Sequence, residues 1–166
     1  MFGLLKTYDV HMCSEVKGRV LSNGKPVVGA KVIRELSYIH QVESNDETLT
    51  DECGCFFMPE VSISSKKPGD MFVNDSVMQK VYIIIDSVQY ILWDSEFGGI
   101  EEFPEFKEKL TMLNCDLSNK EVTFTFPNKK NANLMFDGIS ICRWETDFDI
   151  YERNDDDDDD DDFFNF

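Results

Sequence analysis

Apolar and polar residues alternate with a period of two along most of this chain, in short runs separated by turn residues, which is the signature of half-buried strands. Residues 16–20 alternate around Lys17 and Arg19, and Asn23-Gly24 then supplies the positive φ angles of a tight turn. Pro26 keeps the chain extended into a strand with Ala30, Val32, Arg34, Leu36 and Tyr38 on one face. Lys31, Ile33, Glu35 and Ser37 occupy the other. The run from Glu43 to Glu47 is polar and reads as a loop, and Gly54 turns the chain into a strand over residues 55–58.

Residues 64–70 carry two lysines, a proline and a glycine and read as a second loop. Two apolar runs, 81–85 and 88–93, face each other across Asp86-Ser87 as a central hairpin. A Val-Tyr-Ile-Ile-Ile run of this kind predicts burial on both faces. Residues 97–100 read as a glycine-containing loop. Pro104 opens a short helix to Lys109, with Glu105 and Lys109 at pairing distance along one face. Residues 121–126 alternate cleanly, and 135–144 read as a last strand interrupted at Gly138. No internal repeat is present. The fold class predicted is mainly all-β, an antiparallel β-sandwich with at most one short helix.

Length and charge divide the chain in two. Its 166 residues suit a sandwich domain over 1–150, followed by an acidic, phenylalanine-ended tail over 151–166. The tail's eight consecutive aspartates repel one another and hold their water, which predicts a disordered, charged arm. It carries nine acids and one base, leaving −9 of the net −17 to residues 1–150. The body is thus acidic in its own right, which disfavours direct nucleic-acid binding and favours a basic protein partner.

Five cysteines without regular spacing do not resemble a secreted disulfide framework, and free thiols are expected. The first residues lack a basic leader followed by a sustained apolar stretch, and no run approaches the length of a membrane span. The expected location is cytoplasmic.

Candidate chemistry is sparse. The tail residues Asp155, Asp156, Asp157, Asp158, Asp159, Asp160, Asp161 and Asp162 could lie along a partner's basic groove. Phe163, Phe164 and Phe166 would then anchor in an apolar pocket, although a merely solubilising terminus fits the same composition. The tail resembles the acidic, phenylalanine-ended tails of single-stranded-DNA-binding proteins, but those sit on nucleic-acid-binding bodies. His11, Cys13, Cys53 and Cys55 could nominally bind zinc, yet one-residue spacings are too tight for a structural site. No metal and no cofactor are expected. Residues 18–26 imitate a phosphate loop with five residues between the glycines and Pro26 where Ser or Thr should stand, so they read as a hairpin. Glu101, Glu102, Glu105 and Glu108 alternate with lysines as a solvated face, and Trp93 and Trp144 read as core aromatics. No catalytic residue is assigned.

Residues 16–58 also carry a resemblance. Val16-Lys-Gly-Arg-Val20, Gly24-Lys-Pro-Val-Val-Gly-Ala-Lys-Val32 and Thr50-Asp-Glu-Cys-Gly-Cys-Phe56 resemble the carboxypeptidase regulatory-like (transthyretin-like) β-sandwich family. Asp51 is expected to accept backbone N–H bonds in the turn before Gly54. With the strand at 90–93, the chain is also similar to small bacterial immunity proteins associated with type VI secretion toxins. That likeness implies a binding protein without chemistry of its own, which occludes a cognate protein toxin. The alternative is a non-catalytic adaptor in a secretion or surface assembly.

Overall fold

The computed structural model of the protein describes residues 6–68 and 70–152. In chain order the first strands are β1 (Tyr8–Cys13), β2 (Val16–Ser22), β3 (Lys25–Pro26), β4 (Lys31–Tyr38) and β5 (Gln41–Leu49). Next come β6 (Cys55–Met58), β7 (Val61–Ser65), β8 (Ser76–Ile85) and β9 (Val88–Gly98). One helix among the described residues, α1 (Pro104–Leu110), precedes β10 (Leu113–Asp116), β11 (Val122–Pro127), β12 (Met135–Ser140) and β13 (Asp149–Tyr151). Among the described residues the fold is all-β with a single short helix, matching the expected fold class.

Seven strands form the main sheet in the order β13-β11-β12-β9-β8-β4-β5, every pairing antiparallel. A four-stranded sheet places β10, β3 and β6 on β2, and a two-stranded one joins β1 to β7. Among these pairs β10 on β2 is parallel. The main sheet buries one face through Val32 and Leu36 of β4, Val81 and Ile83 of β8, and Phe124 and Phe126 of β11. They meet Val10 and Met12 of β1, Val16 and Val20 of β2, and Phe106 and Leu110 of α1 in one core. Two layers around a shared core make the molecule sandwich-like. A buried polar relay also pins the layers together. Trp93 Nε1 donates to Gln79 Oε1 (3.0 Å), and Gln79 Nε2 donates to the Met12 carbonyl (2.9 Å).

Several local expectations are corrected. The central hairpin is buried on one face, since Ile84 is 47 % exposed. Aggregation is driven by unpaired edges, and both edges of β8 are already paired, by β4 and β9. The polar run at 43–47 is strand β5, held on β4 by the Lys31–Glu47 and Arg34–Asp46 ion pairs. The expected loops at 64–70 and 97–100 begin later, because β7 runs to Ser65 and β9 to Gly98. Gly138 does not interrupt its strand. It pairs with both Phe124 and Ser95, and a Cβ there would lie 2.8 Å from the Phe124 ring. That strand ends at Ser140.

The cysteines also divide differently from the expectation. Cys115 and Cys142 form a disulfide across an isolated antiparallel bridge, with Cα atoms 4.2 Å apart. Cys13, Cys53 and Cys55 are free thiols.

Candidate functional site

The tail residues named as partner-binding, Asp155–Asp162 with Phe163, Phe164 and Phe166, lie outside the described residues. The geometry available is that of the body.

The nominal zinc residues have separate duties. Cys13 is buried close to Arg34, and burial pushes its thiol up to about 11. Cys53 is exposed, and it flanks Gly54 (φ 76°) together with Cys55. Asp51 Oδ1 accepts the backbone N–H of both residues, at 2.8 and 2.9 Å, as the turn chemistry requires. Among the described residues no group of three or more His, Cys, Asp and Glu side chains converges.

The imitation phosphate loop is a hairpin in which Ser22 pairs with Lys25. Its turn residues Asn23 (φ 50°) and Gly24 (φ 78°) point their N–H groups at one anion, the chain's own Asp116 (3.0 and 2.9 Å). Ser118 donates to the same carboxylate from its hydroxyl (2.6 Å) and its backbone (2.9 Å). These donors, led by the Ser118 hydroxyl, hold the Asp116 carboxyl well below the usual range. The nest is filled from within.

One constellation escaped sequence reading because its members come from three separate stretches of the chain. Ser14 Oγ lies 3.3 Å from His11 Nε2 and donates to Glu102 Oε1 at 2.8 Å, while His11 Nδ1 is 3.6 Å from Glu60. The residue types are those of a serine–histidine–carboxylate relay. Their roles are not. Ser14 is 1 % exposed and gives its proton to Glu102, leaving the imidazole without the hydroxyl proton a general base would take. Burial lowers the His11 pKa against the opposing pull of Glu102 and Glu60, which keeps the ring neutral at pH 7. The group clamps the end of β1 to the segment before α1.

Among the described residues a concavity opens between α1 and the segment after residue 143. It holds about 270 Å³ and is lined by Glu105, Glu108, Lys109, Met112, Phe126, Pro127 and residues 144–147. Glu105 and Lys109 were expected on a solvated face, paired with each other. They are instead 4 % and 5 % exposed and bond elsewhere. Glu105 Oε1 accepts the Lys129 backbone N–H at 2.6 Å, and Lys109 Nζ donates to the Thr146 carbonyl at 3.3 Å. The Lys109 ammonium also lies 5.0 Å from the Trp144 ring centre and 5.4 Å from that of Phe126. Burial lowers its pKa, while Asp147 and Glu108 pull the other way.

Trp144 is half-buried, with its Nε1 donating to the Lys109 carbonyl at 3.2 Å. It meets Trp93 edge-on and leans on Phe124 and Phe148. Unlike the fully buried Trp93, it is a core aromatic on one side and a pocket wall on the other. The helical spacing of Glu105 and Lys109 was visible in the sequence, but the aromatic walls arrive from 17 or more positions later and left no local signal.

The molecule is thus a mainly antiparallel β-protein with one short helix, an acidic body and a charged, aromatic-walled pocket. It belongs to the family described as a domain of unknown function (DUF6795), which matches residues 16–120. No curated protein and no solved structure matches the chain. The matched segment contains Glu105 and Lys109 but ends before Phe126 and Trp144, so the pocket straddles its boundary.

Proposed function

We propose that the chain is an immunity protein that binds and occludes a cognate bacterial toxin, of the kind delivered by type VI secretion. The observation that carries this reading is charge: the body alone holds −9 and the full chain −17. Such a field repels nucleic acid and accelerates the approach of a basic protein. The transthyretin-like pattern of residues 16–58 bears on the scaffold and not on its function, so the charge carries the reading alone. Exposed apolar side chains such as Leu49 (61 %) and Phe57 (49 %), which flank Lys17 and Arg19 in an open groove, add contact area for a partner.

In this reading the acidic tail extends the same field, its aspartates lying along the toxin's basic groove and its phenylalanines anchoring beyond it. The compartment is the cytoplasm. The Cys115–Cys142 bond pulls against a reducing location. Alkylating the free thiols during cell lysis and weighing the protein decides that point.

The test of function is rescue. Cells expressing the cognate toxin, which the reading expects to be encoded beside this chain, survive when the chain is co-expressed, and they die if the reading is wrong. Removing residues 154–166 should weaken capture of the toxin and flatten its dependence on salt.

The alternative is an adaptor in a larger assembly, favoured by β5, which forms an edge of the main sheet along its nine residues. An adaptor co-purifies with several assembly components and rescues nothing.

A further inference from the structure

A residue lining the pocket beside α1 carries a buried polar atom without a partner. Buried polar groups of folded proteins are almost always hydrogen-bonded, and an exception calls for a cause: local strain, an ordered water, an ion or a ligand group. Among the described residues, Glu105 Oε2 is a buried side-chain oxygen with no hydrogen-bond partner. Its sister oxygen is fixed on the Lys129 N–H, so the carboxylate cannot simply turn to satisfy both. A carboxylate oxygen is an acceptor, and the partner that completes it is a donor.

Charge narrows the donor further. Glu105, Glu108, Glu145 and Asp147 line the pocket against one cation, Lys109. Lys129 pairs with Glu108 at 3.0 Å, and the balance remains negative. Lys109 does not serve Glu105, because its ammonium is directed to Thr146 and the rings of Phe126 and Trp144. The walls are thus already adapted to holding a cation against aromatic faces. A bare metal ion fits poorly, since no three metal-binding side chains converge among the described residues. A guanidinium fits well. It is planar, weakly hydrated, carries five donors and stacks on aromatic rings.

We propose that this pocket receives an arginine side chain of a basic protein partner, its guanidinium donating to Glu105 Oε2 and resting against the Trp144 wall. The identity of the partner rests on the immunity reading above; the chemistry of the pocket does not. Exposed Glu145 and Asp147 form the rim that attracts the side chain, and buried Glu105 forms the floor that holds it.

The probe is N-acetyl-arginine amide titrated into the isotopically labelled full chain, with the uncharged isostere N-acetyl-citrulline amide as control. Saturable shifts are expected at the Trp144 indole N–H and at the amides of residues 105–112. Citrulline, or the Glu105→Gln variant, should bind at least about tenfold more weakly, the loss expected when a charge-assisted bond is removed. Glutamine can still accept the Lys129 N–H, and an unchanged spectrum away from the pocket verifies the fold. Should Glu105→Gln unfold the protein, Asp147→Asn at the exposed rim takes its place and weakens binding about twofold to threefold, the size of an exposed charge contact.

Absence of shifts at the pocket overturns the proposal, as does equal binding of arginine and citrulline. Arginine binding without rescue of toxin-expressing cells leaves the pocket standing and removes the immunity reading. Rescue without arginine binding does the reverse.

Discussion

At Gly18 a β-carbon would lie 2.2 Å from the Leu113 carbonyl oxygen and 2.7 Å from the Phe56 ring. Gly18 faces both neighbours at once, Leu113 on β10 and Phe56 on β6; the Leu113 carbonyl cannot retreat without disturbing the ladder, and the Phe56 ring is buried in the core. Gly18→Ala should cost about 3 kcal/mol, at the upper end for overpacking, read as a lowered urea midpoint with unchanged slope. Asp116 makes a complementary case in charge. Its folded-state pKa is depressed, so its contribution is complete above the ordinary aspartate range and fades as pH falls through that range toward the folded value. Asp116→Asn should therefore lower the melting temperature at pH 7, and the gap to wild type should narrow steadily on acidification. A gap that is the same at pH 7 and at strongly acid pH would show that the carboxylate's charge plays no part in holding the hairpin.

Among the elements, those legible in the sequence are the ones that bury a single face. β4 shows it best: Val32, Arg34, Leu36 and Tyr38 all turn inward as their alternation predicts. β5 was hidden because an edge strand with little apolar content has no hydrophobic period, and its order comes from its neighbour. Part of that order runs through Arg34, fully buried, whose Nε and terminal nitrogen grip Asp46 at 2.9 and 2.6 Å while its other nitrogen donates to the Pro59 carbonyl. Asp46→Ala strands this guanidinium in the core and should cost about 3 kcal/mol, with loss of protection from hydrogen exchange along residues 41–49. β10 was missed for another reason. Four residues after a helix carry too little pattern, and its pairing with β2 is parallel and distant in sequence. The pocket was legible only in part: α1 and its charged residues could be read, but burial of Glu105 and Lys109 depends on walls contributed by β11 and by the segment after residue 143.

For the molecule as a whole, acidity is distributed and not confined to the terminus. Association with a basic partner should consequently lose on-rate with added salt even after residues 154–166 are removed, with a shallower slope than that of the full chain. Stopped-flow mixing at several ionic strengths measures both slopes. A truncated chain indifferent to salt would place the whole electrostatic effect in the tail and leave the acidic body irrelevant to recognition.

The Cys115–Cys142 bond spans the exposed stretch between β11 and β12, where Lys129 and Lys130 offer trypsin two cleavage points. A nick there would open the backbone without releasing either piece, because β12 stays wedged between β9 and β11 and the sulfur bridge joins the fragments covalently. For a chain cut at Lys129 or Lys130, identified by the new N-terminus it creates, the two fragments should run together on a non-reducing gel and separate after reduction, whereas fragments from a cut at Lys66 or Lys67 lie outside the bridge. A chain with this design survives being cut.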